Sequence, residues 1–204
     1  MKTNFTIVSI FLITFFLSGC TNTSGNKQSK ESAADSSKAV SASDHPDVLS
    51  VGAGDTAKFI SKQLVVKGDV EHPLTLTVDS LKNMKVSVMH DMNVVCQSGA
   101  TVNTINQSKG VLLKEILNKA KLKQSNHKDR NFYVVARATD NYKATFSWGE
   151  IFNNPAGDNV YVLFEENGKP ISQRGSMVLF SLSDTKTGPR HVRWLSSIEV
   201  NKVN

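Results

Sequence analysis

Cysteine is nearly absent from this chain of 204 residues: Cys20 and Cys96 are its two thiols. No cysteine spacing of a zinc site appears, and neither does a nucleophile-elbow glycine pattern or a phosphate loop. Residues 1–19 contain no arginine. No repeat of fixed period is present, and no apolar run after the first twenty residues is long enough to cross a bilayer. The formal charge is +6, with many of the lysines between Lys109 and Lys128. That stretch has no aromatic residue, so it lacks the basic-aromatic interleaving of a nucleic-acid surface. It reads as a solvated helix face beside an anionic membrane, and no nucleic-acid partner is expected.

What is present begins at the N-terminus. Lys2 is a positive n-region, Phe5 to Phe16 an apolar run too short to span a membrane, and Leu17-Ser18-Gly19-Cys20 follows. This pattern resembles the bacterial lipoprotein signal. The resemblance implies that residues 1–19 are removed and that Cys20 carries a thioether-linked lipid, anchoring the protein in the cell envelope on the extracytoplasmic face. Several acyl chains would hold it firmly, at about 0.8 kcal/mol per buried CH₂. Residues 20–61 are rich in Ser, Asn, Lys, Asp, Gly and Ala. Such a segment buries too little apolar surface to offset its ordering entropy, and it reads as a flexible tether. Residues 62–204 suit one domain with one core. With Cys20 lipidated, Cys96 has no intramolecular partner. It is then a buried inert thiol, a link between chains, or a ligand to a cofactor.

Along the domain, Leu64 to Val70 predicts a strand, and Leu74 to Val78 a second one ahead of a short helical turn capped by Asp79 or Ser80. Val86 to Cys96 alternates, which places Val86, Val88, His90, Met92, Val94 and Cys96 on one face. Apolar residues at helical spacing predict one helix over about 110–122. Phe132 to Ala138, Lys143 to Trp148, Val160 to Phe164, Met177 to Leu182 and Val192 to Val200 predict further strands, with Asn167-Gly168 as a turn pair. The class is α+β, dominated by mixed short strands with few helices.

Four stretches, in this order, resemble the molybdopterin-binding domain of the sulfite oxidase family. They are Val65-Val66-Lys67-Gly68-Asp69-Val70 with Pro73-Leu74-Thr75-Leu76; Val94-Val95-Cys96-Gln97-Ser98-Gly99 followed by Gly110 to Leu117; Ala138-Thr139-Asp140-Asn141-Tyr142-Lys143-Ala144; and Gly188-Pro189-Arg190-His191-Val192-Arg193-Trp194-Leu195 with Ile198-Glu199-Val200. The resemblance implies the sulfite-oxidase-type fold, an oxidoreductase domain and a molybdopterin cofactor. It makes Cys96 the thiolate ligand to the metal and puts Arg190, His191 and Arg193 near the cofactor's phosphate and pterin. A soft thiolate suits a soft metal, and guanidinium groups suit a phosphate. An oxidoreductase of this type also implies a redox partner.

The chain departs from the family where Cys96 is followed by Gln97-Ser98-Gly99-Ala100-Thr101 in place of a Gly-Asn or Gly-Trp element. It departs again at Gly175-Ser176-Met177-Val178-Leu179, which lacks the proline and arginine of the family's Gly-x-Pro-Leu-Arg pattern. A signal without twin arginines also implies export before folding, whereas molybdenum cofactor is inserted into folded protein in the cytoplasm. Two functions therefore stay open. One is an oxidoreductase domain with Cys96 on a metal; the other is a cofactor-free module, or one holding haem, copper or a small ligand. For haem or copper, His90, Met92 and Cys96 are the soft donors on one predicted strand face. Asp140 and Tyr142 read as either a polar pair at a pocket rim or a turn aspartate and a half-buried tyrosine.

Overall fold

The computed structural model describes residues 56–203; Cys20, the signal and nearly all of the tether lie outside the described residues. Among the described residues ten strands and three short α-helices follow one another as β1 (Leu64–Gly68), β2 (Leu74–Leu76), α1 (Val78–Lys82), β3 (Val86–Val95), β4 (Thr101–Leu112), α2 (Leu113–Ala120), β5 (Phe132–Ala138), β6 (Lys143–Ser147), α3 (Trp148–Phe152), β7 (Val160–Glu166), β8 (Lys169–Pro170), β9 (Val178–Ser181) and β10 (Leu195–Lys202), with one 3-10 turn ahead of β1 and two between later elements. One sheet runs β2-β1-β10-β5-β6, with β10 parallel to β1 and antiparallel to β5. The last strand is thus inserted at the centre of the sheet. The second sheet runs β3-β4-β7, and the far edge of β7 is shared by β8 and β9.

Burial follows from sequence period. In β7, Val160, Val162 and Phe164 enter the main core, and Leu163 enters a smaller cluster on the opposite face. In β9, Leu179 joins the first while Val178 and Phe180 join the second. Both strands are apolar without alternation because both of their faces are covered. The main core also takes Ile116 and Leu117 of α2 and residues of β1, β5, β6 and β10, so it binds the two sheets together. The smaller cluster contains Met89, Met92, Val94 and Ile105 from the β3–β4 hairpin.

Three sequence expectations change. The helix predicted from 110 begins at Leu113, because Gly110, Val111 and Leu112 belong to β4, paired with Leu163, Val162 and Tyr161. A Cβ at Gly110 would lie 2.6 Å from the Val162 carbonyl oxygen, so this glycine serves close strand contact, not a helix. The short α1 is capped by Thr77, whose hydroxyl accepts from the Ser80 N–H. Finally, β3 does not alternate throughout. Asp91 takes a positive φ of 50°, and this shifts the facing: Met89, Met92 and Val94 are buried, while Val88 and His90 are exposed. The lysines of 109–128 are partly neutralised in place, with Lys109 on Glu165 at 2.7 Å, Lys114 on Asp158 at 3.1 Å and Lys121 on Glu71 at 2.6 Å. Phe59, within the stretch read as tether, meets Trp194 with ring centroids 5.7 Å apart.

Candidate functional site

Cys96 leaves the end of β3 just past a register shift between Val94 and Val95. The turn is closed by Cys96 N–H to the Ala100 carbonyl at 2.9 Å and Gly99 N–H to the Cys96 carbonyl at 2.9 Å. The thiol is partly exposed, and its sulfur lies 2.8 Å from the Ser98 hydroxyl. That hydroxyl stabilises the thiolate, and the thiol pKa falls below its ordinary value despite some desolvation. A lowered, accessible thiol is chemically unlike an inert core cysteine.

Long-range contacts bring the 187–194 stretch to this turn. Buried Thr187 accepts from the Val95 N–H at 2.9 Å and donates to the Asn93 carbonyl at 2.7 Å. Gly188 then runs so close that a Cβ there would lie 2.9 Å from the Val95 carbonyl oxygen and 3.3 Å from the Cys96 Cα. Sequence reading placed Cys96 and this stretch in one site on resemblance alone; Thr187 and Gly188 are the physical clamp, and no sequence signal singled out Thr187.

Arg190 does not present a free guanidinium. Its Nε donates to Asp184 Oδ2 at 2.7 Å, its Nη2 to Asp184 Oδ1, and its Nη1 to Glu150 Oε1 at 2.9 Å. The Phe146 ring lies 4.4 Å beneath the cation. Two carboxylates hold the Arg190 pKa above its ordinary value. Glu150 is itself fixed by a capping box with Ser147 at the start of α3. Burial pushes the Glu150 carboxyl up, but the Ser147 N–H and Arg190 outweigh it and leave its pKa low. Ser147-x-x-Glu150 is a capping-box spacing that a linear pattern can carry, although the expected strand over Lys143 to Trp148 passed over it; the use of Glu150 by Arg190 has no such signature.

His191 packs edge-on against Phe180 with ring centroids 5.1 Å apart. Burial pushes its pKa down to about 3, helped by Arg174 and Arg193, so the imidazole is neutral. Its Nε2 has no hydrogen-bond partner among the described residues, and neither does the indole Nε1 of Trp194. Arg193 lies over the Trp194 ring at 5.0 Å and forms no ion pair among the described residues. Burial and Arg174 lower its pKa, against the pull of Asp140 and Tyr142. Asp140 accepts from the Tyr142 N–H at 3.0 Å, and the Tyr142 hydroxyl donates to the Pro189 carbonyl at 2.6 Å. The pair is thus a turn aspartate and a half-buried tyrosine that brace the 188–190 turn.

The proposed row of soft donors is not assembled. Met92 points into the smaller core and His90 is exposed, so the copper or haem reading of His90, Met92 and Cys96 falls. The positive φ at Asp91 is the reason. No group of three His, Cys, Asp or Glu side chains suited to a metal ion occurs among the described residues.

Residues 55–204 match the family described as the oxidoreductase molybdopterin binding domain. The chain belongs to this family. Among solved structures, the sulfane dehydrogenase SoxCD from Paracoccus pantotrophus is similar at 17% identity and a TM-score of 0.50, over 70% of this chain and 39% of that one. At that identity the likeness concerns the fold, and the chain spans well under half of that structure's length. No curated protein matches.

The family implies molybdopterin, and the residues fit that group unevenly. Cys96 has the chemistry of a thiolate ligand. The anionic end fits poorly: Arg190 is already satisfied by Asp184 and Glu150, His191 is neutral, and Met177 and Leu179 are core residues where the family pattern has its proline and arginine. Arg193 is left as the one predicted cation without a carboxylate ion pair among the described residues. As a whole the set does not fit a phosphate-bearing pterin.

Proposed function

We propose that this protein is a lipid-anchored, extracytoplasmic member of the molybdopterin-binding domain family that keeps the fold as a binding module and does not carry molybdopterin. The observation that carries this reading is Arg190. A guanidinium held by three hydrogen bonds to Asp184 and Glu150 could reach a phosphate only by breaking charge-assisted bonds and stranding two carboxylates. The signal without arginine supports the same reading, since export before folding would leave a cytoplasmically inserted cofactor behind.

A second reading, an oxidoreductase with Cys96 on a metal, is favoured by the lowered thiol pKa and its exposure. Metal analysis of protein purified from its own envelope separates the two. The expected result is no stoichiometric molybdenum and a Cys96 thiol that reacts with alkylating reagents at once, with or without chelator. Stoichiometric molybdenum that disappears in Cys96→Ser would overturn the module reading and make the protein an oxidoreductase of the sulfite oxidase type.

The anchor is tested separately. Cys20→Ser should move the protein from the membrane fraction to a soluble or uncleaved form. The same detergent partitioning for wild type and variant would sink the lipid anchor and, with it, the envelope location.

A further inference from the structure

Asp129 is the only acid between positions 119 and 130, and the fold turns it inward. Its side chain is 7% exposed, Lys202 pairs with it at 2.7 Å, and the Ser125 N–H donates to it at 3.0 Å. The charges this stretch shows to solvent are therefore positive. Lys119, Lys123, Lys128 and Arg130 are exposed, and none forms an ion pair with a carboxylate among the described residues. Helix α2 buries its apolar side and ends at Ala120, so the cationic face is mostly the loop that follows. That loop is strapped to the residues after β1. The Glu71 N–H donates to the Lys121 carbonyl at 2.7 Å, and the Lys123 N–H to the Asp69 carbonyl at 2.9 Å.

Beside these cations lies a groove of about 400 Å³ whose apolar lining is Leu117, Leu122, Trp148 and Phe152. Trp148 and Phe152, one turn apart on α3, are half-buried with ring centroids 5.6 Å apart. Arg130 lies over the Trp148 ring at 5.1 Å. Lys123 sits between Leu122 and Gln124, which both line the groove. The acid of the lining, Glu71, is matched by Lys121 at 2.6 Å. Half-exposed aromatic rings flanked by unpaired cations suit a membrane surface. The rings reach the boundary of the acyl chains, while the long basic side chains stay with the headgroup phosphates. We infer that the face formed by the 119–130 loop and the two α3 aromatics docks on an anionic lipid bilayer. The envelope location proposed above supplies the setting; neither Cys20 nor the site around Cys96 takes part.

The test is co-sedimentation of the full chain from residue 20, carrying Cys20→Ser so that no acyl chain contributes. The vesicles are phosphatidylcholine alone, or phosphatidylcholine with about one third phosphatidylglycerol. The anionic vesicles should bind at least about ten-fold more tightly, and about 0.5 M salt should release the protein, as it would not release an acyl anchor. Lys123→Glu with Lys128→Glu should weaken binding at least about ten-fold. Lys143→Glu with Lys169→Glu makes the same change of charge on exposed residues of β6 and β8, and should weaken it by at most about three-fold. Trp148 and Trp194 are the two tryptophans, and Trp194 is only 4% exposed. Lipids brominated in their acyl chains should therefore quench part of the emission, and Trp148→Phe should abolish that quenching. Equal binding to both kinds of vesicle would overturn the inference. So would unchanged binding in the Lys123–Lys128 variant, an equal loss in the Lys143–Lys169 variant, or binding without quenching. None of these outcomes touches the lipid anchor, which detergent partitioning tests by itself.

Discussion

Arg190→Met should destabilise the domain by about 2–4 kcal/mol, lowering its melting temperature by roughly 5–12 °C for a chain of this size. The arginine closes the 188–190 turn onto two elements at once, through Asp184 and through Glu150 at the start of α3. Removing it leaves Asp184 and Glu150 without the cation they share. The value is set below that of a fully buried pair because the Arg190 side chain is 25% exposed. Replacing Asp184 by Asn in the same chain should recover part of the loss, since the uncompensated charge is then gone. Denaturant melts of the single and double variants measure this directly. A single variant within about 0.5 kcal/mol of wild type would mean that Arg190 is not the brace described, and would free it for an anionic ligand after all.

His191 should make stability fall on acidification below neutrality, opposed only by Glu166, whose carboxyl burial pushes up and which therefore acts with the opposite sign. The folded pKa of His191 is about 3, against about 6.5 in an unfolded chain. Between those values the unfolded state holds a proton that the folded state refuses, so stability is full above about pH 6.5 and declines as pH falls, by up to about 1.4 kcal/mol per unit. Carboxylates held low in the fold, among them Asp129, Glu150 and Glu199, contribute with the same sign, but only as the pH approaches the ordinary carboxylate range near 4. From pH 6.5 to 5 the loss assigned to His191 is about 1.6 kcal/mol. His191→Gln should remove that slope while leaving the decline below pH 4.5. The same slope in the variant would show that the imidazole is not held neutral. An imidazole resonance that titrates near 6.5 in the folded protein would say the same.

Much of the domain was readable along the chain because most strands carry their own period. β1, β5 and β6 appear as expected from alternating or continuous apolar runs, and Asn167-Gly168 makes the predicted turn. The first part of β4 was not readable. Thr101 to Thr104 are exposed on the hairpin, so no apolar pattern marks them, and Gly110-Val111-Leu112 looks helical by spacing alone. The face of β3 was misread for a local reason, since one left-handed residue, Asp91, is enough to break a period of two.

The sequence by itself determined the family and the mixed strand-rich class, because these rest on residue order and local pattern; that two distant stretches meet at Cys96 was implied by the resemblance alone. Tertiary structure alone decided what the charged residues are for. Arg190 reads as a free cation until Asp184 and Glu150, six and forty positions away, are found around it. His191 reads as a polar ligand until Phe180 and burial strip its charge. Charge pairing and desolvation depend on distances through space, which a linear pattern does not carry.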